Sequence, residues 1–289
     1  MGVVAIAAAI VSFALSTPIV KWSGEPGVVI AFWRMWFALG LWWVVMVATR
    51  RPFPDARTWK LVAPAGLLFG LNISTLFTAV TRTSIAHLEF ISSLTPLVAV
   101  PASALLFKER PDFAPMKFGV ISLVGVALVL FFGPSSGTSS LSGDLLVLLV
   151  VGIWTCYLMF TKRARARGVD TVTFMACMVP AGLLTTVPMA VVLEGDQIFS
   201  LQPRGWMVAA LLAVLTGMVA HGCIAFAQQH LPIQTITVMQ TAQPALAVLF
   251  AFFLLSEQVR WPQVIGMALV TIGITLFTLA SQRNRSPRP

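Results

Sequence analysis

Two stretches of this sequence follow the same pattern, and this internal repeat decides the fold. Residues 94–109 read LTPLVAVPASALLFKE, and residues 242–257 read AQPALAVLFAFFLLSE. In each copy a polar residue precedes a proline, and the mostly apolar run that follows ends in a glutamate. The offset between the copies is 148 residues, measured from Pro96 to Pro244. The chain therefore consists of two related halves.

The relation between the halves extends beyond that stretch. Glu109 and Glu257 keep the same offset of 148, and a weaker echo relates residues 13–21 to residues 154–162 at an offset of 141. Each glutamate falls just before the next apolar run, where a carboxylate can cap free helical N–H groups. We therefore expect the two glutamates to be structural. The predicted repeats are residues 1–135 and 136–289.

Outside these stretches the sequence is apolar almost throughout. Hydrophobic residues make up 58% of the 289 residues and charged residues only 10%, far below the roughly 25% that a water-facing surface requires. A membrane-spanning helix needs about 20 mostly apolar residues, and lipid offers no partner to exposed backbone, so such runs must be helices. We predict an all-α, polytopic membrane protein with ten transmembrane helices. The expected spans are 2–20, 27–49, 59–80, 83–107, 114–132, 142–161, 170–193, 205–229, 232–255 and 261–281.

Two breaks between these spans decide the helix count. Only Arg82 and Thr83 interrupt the run between the third and fourth spans, and only the region of His230 and Pro232 separates the eighth from the ninth. The first span lacks a basic segment and a cleavage site, so it is predicted to be a helix and not a removed signal peptide. Gly66 and Gly70 predict close contact with another helix.

The positive charges give the predicted bundle a direction. With ten spans, 14 of the 19 Lys and Arg residues fall on one side and 4 on the other, and the nineteenth is Arg34 inside the second span. Cytoplasmic loops carry the excess of Lys and Arg. Both termini are therefore expected on the cytoplasmic side, in a multi-pass protein of the inner (plasma) membrane.

An odd number of helices in each half has a functional consequence. Because five helices cross the membrane an odd number of times, the second half enters from the opposite side and the two halves are inverted. Inverted repeats are the architecture of many secondary transporters, in which exchanging the conformations of the halves moves the opening from one side to the other. The 5+5 repeat thus predicts transport by alternating access.

The chain also resembles a known family. The helix that ends in Lys21, the segment FWRMWFALG around Arg34, and the twin LTPL…FKE and AQPA…LSE stretches are similar to the drug/metabolite transporter (DMT) superfamily of the ten-helix EamA type. The resemblance covers essentially the whole chain and is greatest for the aromatic amino acid exporter (YddG-type) branch. It implies a 5+5 inverted-repeat bundle in the inner membrane that exports small metabolites.

Other classes of function find little support in the sequence. There is no GxxxxGK[ST] loop for ATP, no metal-binding histidine pattern and no disulfide framework. The basic residues lie in short clusters between apolar runs and not on one face of a soluble module, which argues against nucleic-acid binding. We expect no enzyme activity, cofactor or metal.

Ionisable residues inside membrane spans are functional candidates by default. Arg34 and Glu89 each lie about 10 Å from the same side of the membrane at 1.5 Å per residue, so we expect them to pair or to share a polar cluster. Such a cluster either fixes the packing of the helices or couples transport to the substrate or to protons. His87 and His221 either titrate near neutral pH or pack as neutral histidines.

Uncharged polar residues mark the predicted substrate cavity. Proline removes a backbone donor and kinks a helix, so Pro96 and Pro244 are predicted hinges at the centre. The polar side chains at similar depth either line the cavity or bond neighbouring helices, and Trp154 can stack on a flat substrate. With the two histidines, the predicted cavity residues are Asn72, His87, Ser92, Ser93, Thr95, Trp154, His221, Gln240 and Gln243.

Three functions remain open at this stage. The first is a secondary transporter that exports amino acids, aromatic or neutral, through a central cavity between the repeats. The second is a broad drug or metabolite effluxer of the same fold, which the scarcity of buried acids disfavours. The third is a membrane enzyme or scaffold without transport. The expected partners are a small-molecule substrate and the bilayer; the sequence leaves the oligomeric state undetermined, and a monomer is compatible with it.

Overall fold

The structure is a computed structural model in which the chain forms a helical bundle. It describes residues 2–95, 97–98, 102, 116–132, 140–221, 223, 242–257 and 259–283. The helices in this part of the chain are α1 (Gly2–Ser23), α2 (Gly27–Ala48), α3 (Ala56–Val80), α4 (Ile85–Ser92), α5 (Met116–Phe131), α6 (Leu141–Ala166), α7 (Thr171–Glu194), α8 (Pro203–Val214), α9 (Gln243–Leu255) and α10 (Trp261–Arg283).

Six stretches among the described residues are long and apolar enough to cross a membrane. They are Val4–Ser23, Gly27–Ala48, Ala56–Val80, Leu141–Arg165, Thr171–Gln197 and Pro203–Ala220. Three shorter apolar helices cover Lys117–Phe131, Gln243–Leu255 and Trp261–Phe277. The chain is thus all-helical and consistent with a polytopic membrane protein, while the count of ten spans stays a prediction.

The predicted break between the third and fourth spans is confirmed. The third helix ends at Val80, and α4 begins at Ile85 after a turn. Ser84 precedes α4, and its side chain accepts a hydrogen bond from the backbone N–H of His87, which satisfies a free donor of the first turn. The other weak break, around His230 and Pro232, lies outside the described residues.

Short polar side chains begin several of the long helices. Asp55 precedes α3 and accepts from the Thr58 N–H at 2.8 Å, while Ser140 precedes α6 and accepts from the Gly143 N–H at 3.1 Å. Hydrogen bonds from Thr58 hold the pKa of Asp55 below its ordinary value. Asp170 caps α7 in the same way. These caps explain why the helices begin at residues that lie just outside the apolar runs.

The eighth helix changes its winding near the middle of the bundle. After Val214 it continues as a π-helical segment, Leu215–Ala220. The Trp42 indole N–H donates to the Gly217 carbonyl of this segment at 3.1 Å. Segments of this kind occur frequently at functional sites.

Glycines permit two close helix crossings. A Cβ on Gly66 would lie 2.6 Å from the Met178 carbonyl oxygen, and one on Gly70 would overlap the Gly182 carbonyl. The predicted close contact at Gly66 and Gly70 is therefore confirmed, with α7 as the partner. At the second crossing, between α5 and α10, Gly125 and Gly266 each lie against the other's carbonyl oxygen.

Helices from the two halves of the chain interleave. In the first half α1 packs against α8 and α9, α2 against α7 and α8, and α3 against α6 and α7. The short helix α4 contacts α6 and α9, and α5 contacts α10. Much of the hydrophobic core therefore lies between the halves, and large side chains such as Phe77, Met35, Met178 and Leu212 are buried. Side chains that project into this core form the site described next.

Candidate functional site

Three residues at helical spacing on α1 organise the interior. Phe13, Thr17 and Lys21 follow one another at intervals of four, so they lie on one face of the helix. The Phe13 ring meets the His221 ring edge-on at 5.5 Å between centroids. The Thr17 hydroxyl donates to Glu89 Oε1 at 2.8 Å. This face of α1 thus contacts His221 through Phe13 and Glu89 through Thr17.

Aromatic rings from three elements surround His221. Phe69 on α3 lies 6.2 Å from the His221 ring and 5.6 Å from the Tyr157 ring on α6. Trp154, one turn earlier on α6, lies 4.7 Å from Tyr157. Phe13, Trp154 and His221 are partly exposed, whereas Phe69 and Tyr157 are buried. We call these five residues, Phe13, Phe69, Trp154, Tyr157 and His221, the aromatic cluster.

Arg34 on α2 lies next to the cluster and is buried, with only 3% of its surface exposed. Its Nε and Nη2 both donate to the Thr216 hydroxyl oxygen, at 3.2 and 2.9 Å. The guanidinium carbon lies 5.7 Å from the centroid of the Phe77 ring, and Thr216 lies five residues before His221 in the segment that His221 ends. Its Nη1 is shielded from solvent and has no hydrogen-bond partner among the residues that the structure describes. The interior thus contains a cation with one bare nitrogen.

The sequence led us to expect that Arg34 and Glu89 either pair or share a polar cluster, and among the described residues they form no ion pair with each other. Both are buried, and each has its own partners. Glu89 accepts from Thr17 on α1, and the side chain of Gln243 at the start of α9 lies close to it. The carboxyl therefore joins α4 to α1 and α9, while the guanidinium joins α2 to the π-helical segment.

A second cluster of polar side chains lies where α1 ends and where α4 and α6 begin. Lys21 Nζ donates to Glu257 Oε1 and to the Thr83 carbonyl, both at 2.7 Å. His87 Nδ1 lies 3.1 Å from both carboxylate oxygens of Asp144, which also accepts from the Thr83 hydroxyl at 2.6 Å. We call Lys21, Thr83, His87, Asp144 and Glu257 the end network. It joins four separate stretches of the chain.

Glu257 does not cap the helix that follows it, contrary to the sequence-based expectation. Its Oε2 accepts the backbone N–H of Ile85 at 3.1 Å, so it caps α4 in the other half of the chain. The expectation considered only neighbours along the sequence. Packing brings the start of α4 within hydrogen-bonding distance of this carboxylate.

The other predicted site residues have mixed surroundings. Asn72 donates to the Val150 carbonyl at 3.1 Å and so joins α3 to α6. Ser93 and Thr95 donate to the carbonyl three residues back, Phe90 and Ser92. The Ser92 hydroxyl oxygen is buried without a hydrogen-bond partner. Pro244 stands in the first turn of α9 and is buried, while Pro96 and Gln240 lie outside the described residues.

Sequence reasoning missed several members of these groups. Thr17 and Phe13 could have been found from their spacing with Lys21, because residues four apart share a helix face. Tyr157 is the single tyrosine of the chain. Thr216 carries no sequence signal, because its importance comes from the π-helical segment and from an arginine 182 residues away. Over the described residues there is no group of three His, Cys, Asp or Glu side chains that could hold a metal ion.

Comparisons with known proteins agree with this architecture. The sequence profile described as the EamA-like transporter family matches residues 1–131 and again residues 141–279. The chain is 25% identical to the uncharacterized transporter YdfC of Bacillus subtilis over 185 residues, 63% of this chain and 58% of that protein. It is 26% identical to the threonine/homoserine exporter RhtA of Salmonella typhimurium over 187 residues, 63% of this chain and 60% of that protein.

These similarities differ in how much of each protein they cover. The matched regions span about three fifths of the length of YdfC and RhtA. A solved crystal structure, in contrast, shares the fold over 99% of both chains with a TM-score of 0.67 and 19% sequence identity. That likeness shows the fold alone.

Proposed function

The chain belongs to the EamA-like transporter family, and on that premise we propose that it exports neutral amino acids, aromatic ones among them, across the plasma membrane. It acts as a carrier and not as an enzyme. Its transport cycle is alternating access at a cavity between two inverted five-helix repeats. The substrate range, the cycle and the inverted repeat are each part of this proposal.

The observation that carries the proposal is the composition of the space around the aromatic cluster. Phe13 and Phe69 come from the first half of the chain, and Trp154, Tyr157 and His221 come from the second. A mostly apolar, aromatic lining with a few placed polar groups is typical of small-molecule sites. Because both halves contribute to the lining, a relative movement of the halves changes access to the space.

The pattern of helix contacts supports the inverted repeat. If α1 to α5 correspond to α6 to α10, exchanging the halves turns the α1–α9 contact into α6–α4, and the α3–α6 contact into α8–α1. Both members of each pair are present. The α2–α7, α4–α9 and α5–α10 contacts map onto themselves and are also present, and the Gly125 and Gly266 approach is reciprocal. The family profile likewise matches the chain twice.

The end network supplies the closure that alternating access needs. It joins residues of the first half, Lys21, Thr83 and His87, to residues of the second, Asp144 and Glu257. With both termini cytoplasmic, as the loop charges predict, this closed end faces outward. Pro244, buried at the start of α9, is the hinge of that half in the proposal, and Pro96 is its counterpart by sequence.

Two considerations favour amino acids within the family. The similar protein RhtA is a threonine/homoserine exporter, and the buried Arg34 offers a positive charge bonded to the segment that ends at His221 of the aromatic cluster. The aromatic rings add flat apolar surfaces on which the side chain of an aromatic amino acid can stack. A broad drug effluxer would need the same aromatic rings, but it would not need the positive charge of Arg34.

Flux into proteoliposomes tests the proposal. We expect saturable uptake of phenylalanine, leucine or threonine by vesicles that contain the purified protein, and none by empty vesicles. Replacing Trp154 by alanine should raise KM for phenylalanine more than for threonine. Trp261→Ala is the matched control because 81% of the Trp261 side chain is exposed. Uptake of apolar cations with no uptake of any amino acid would favour the effluxer and overturn the proposal.

A further inference from the structure

We propose that Arg34 is the receptor for the carboxylate of the transported solute, so that the substrates are α-amino acids or other carboxylates and not the corresponding amines or amides. This inference rests on the proposed function, because it assigns one substrate group to one side chain of that site. It starts from the bare Nη1 of a buried guanidinium.

The partners of Arg34 leave its positive charge uncompensated. Thr216 is a neutral acceptor, and its own hydroxyl proton is donated to the Leu212 carbonyl at 2.8 Å. The oxygen is therefore held as an acceptor for Nε and Nη2. The described residues contain ion pairs for Lys21 and His87 but none for Arg34. The segment 222–241 contains no Asp or Glu in its sequence. A buried charge without an opposite charge is costly, so the site is complete only with an anion.

The geometry of the guanidinium selects the kind of anion. Thr216 occupies the edge formed by Nε and Nη2, which leaves the edge that includes Nη1 free for a second acceptor. A carboxylate presents two oxygens in one plane and can bind such an edge through two parallel hydrogen bonds. An amide presents one acceptor and no charge, and an ammonium group is repelled.

The surroundings of Arg34 place the rest of such a solute. Arg34 bonds Thr216, and His221 follows five residues later at the end of the same segment and forms part of the aromatic cluster. A solute whose carboxylate binds Nη1 can therefore place its side chain against the rings of that cluster. At Gly217 an added Cβ would make only ordinary van der Waals contacts, with the Ala38 Cβ at 3.7 Å and the Leu212 carbonyl oxygen at 3.8 Å.

A different explanation of the bare nitrogen is purely structural. The Phe77 ring lies 5.7 Å from the guanidinium carbon, and cation–π contact partly stabilises a buried cation. In that case Arg34 would fasten α2 to α3 and α8, and its replacement would affect all solutes alike. Discrimination between a carboxylate and its amide separates the two explanations.

The experiment compares matched solutes in wild type, Arg34→Gln and Arg34→Lys. Ligand-induced shifts in Tm of the purified protein are measured with phenylalanine, phenylalaninamide and phenethylamine, and with benzoate as a carboxylate that lacks the amine. We expect wild type to bind phenylalanine more tightly than phenylalaninamide. Arg34→Gln should lose about 10- to 100-fold in affinity for phenylalanine, the range for a charged hydrogen bond, and change little for the amide.

Controls keep the outcome decisive. Arg82→Gln changes an exposed arginine in the turn before α4 and should leave the preference for the acid unchanged. If Arg34→Gln does not fold, Arg34→Lys decides: it keeps the charge without the planar edge, and we expect a partial loss of acid preference. An unchanged ratio of acid to amide affinity in either folded variant would overturn the inference.

A failure of the proposed function and a failure of the carboxylate receptor give different results. If vesicles transport no amino acid but carboxylates still shift the Tm of wild type and not of Arg34→Gln, the carboxylate receptor stands and the amino acid exporter does not. If amino acids are transported and both proteins keep the same acid preference, the exporter stands and the receptor does not. If no carboxylate shifts the Tm of wild type, the receptor is excluded.

Discussion

The end network and Arg34 both hold charged groups away from water, but they do so in different ways. In the end network each charged group has a close partner: Lys21 lies 2.7 Å from Glu257, and the Asp144 carboxylate lies 3.1 Å from the His87 ring. The Lys21 and Glu257 side chains are only 16% and 13% exposed. Arg34 is 3% exposed and has one neutral acceptor, Thr216.

This difference separates a site that holds the fold from a site that awaits a ligand. Paired charges at the meeting point of several helices fix those helices, and removing one partner leaves the other buried and unpaired. A cation without a counter-ion contributes little to the fold and much to the recognition of an anion. Substitutions in the end network should therefore lower stability most, and substitutions of Arg34 should lower transport most. The following variants test this difference.

The largest effect on stability is expected from Glu257→Ala. The change removes the partner of Lys21 and the cap of Ile85 together, at a cost of about 2–4 kcal/mol in the free energy of unfolding. Denaturant unfolding in detergent micelles measures the loss. Adding Lys21→Met to Glu257→Ala should recover part of it, since no unpaired ammonium then remains.

The control for this prediction is Asp196→Asn, which changes an exposed acid in the turn after α7. We expect it to alter the free energy of unfolding by less than about 0.5 kcal/mol. An equal loss from Glu257→Ala and Asp196→Asn would show that the end network does not hold the helices together.

A smaller loss of stability is expected from Asp144→Ala. His87 would then lack its acceptor at Nδ1, and its Nε2 already has no hydrogen-bond partner. Leaving a buried ring and the Thr83 hydroxyl without an acceptor should cost about 1–3 kcal/mol. Asp144→Asn keeps one acceptor oxygen and should lose less. If the two variants unfold alike, the hydrogen bonds to Asp144 are not what stabilises this end.

How much of this comparison the sequence could predict depends on distance along the chain. The apolar runs predicted helices because period, length and the absence of charge are local properties, and the turn at Arg82 and Thr83 confirmed the break after α3. Arg34 and Glu89 stood out because charge is rare inside a span. These features need no knowledge of packing.

The partners of the charges could not be predicted in this way. Lys21 pairs with a residue 236 positions away, and Arg34 bonds a threonine 182 positions away. Depth in the membrane suggested that Arg34 and Glu89 share a cluster, but depth does not specify which helix faces which. The interleaving of the halves decides that, and a π-helical segment turns Thr216 toward Arg34.

Thr216→Val tests whether the neutral acceptor merely anchors the guanidinium. The change removes both hydrogen bonds of Arg34 and should cost about 1–2 kcal/mol in stability. The guanidinium would also lose its fixed orientation, so KM for phenylalanine should rise while kcat changes less. Thr216→Ser keeps the oxygen and should restore the wild-type KM. An unchanged KM in Thr216→Val would mean that Arg34 needs no anchor.

The smallest effect on stability is expected from Arg34→Met, and this result would distinguish the two regions best. Methionine keeps an unbranched apolar side chain and removes a buried charge that has no counter-ion among the described residues, so the loss of two bonds to Thr216 is offset by the gain in removing the charge. We expect the free energy of unfolding to change by less than about 1 kcal/mol, whereas transport of carboxylates should fall steeply. A loss as large as that of Glu257→Ala would mean that Arg34 holds helices together as the end network does, and the contrast between a paired and an unpaired charge would then not separate fold from binding.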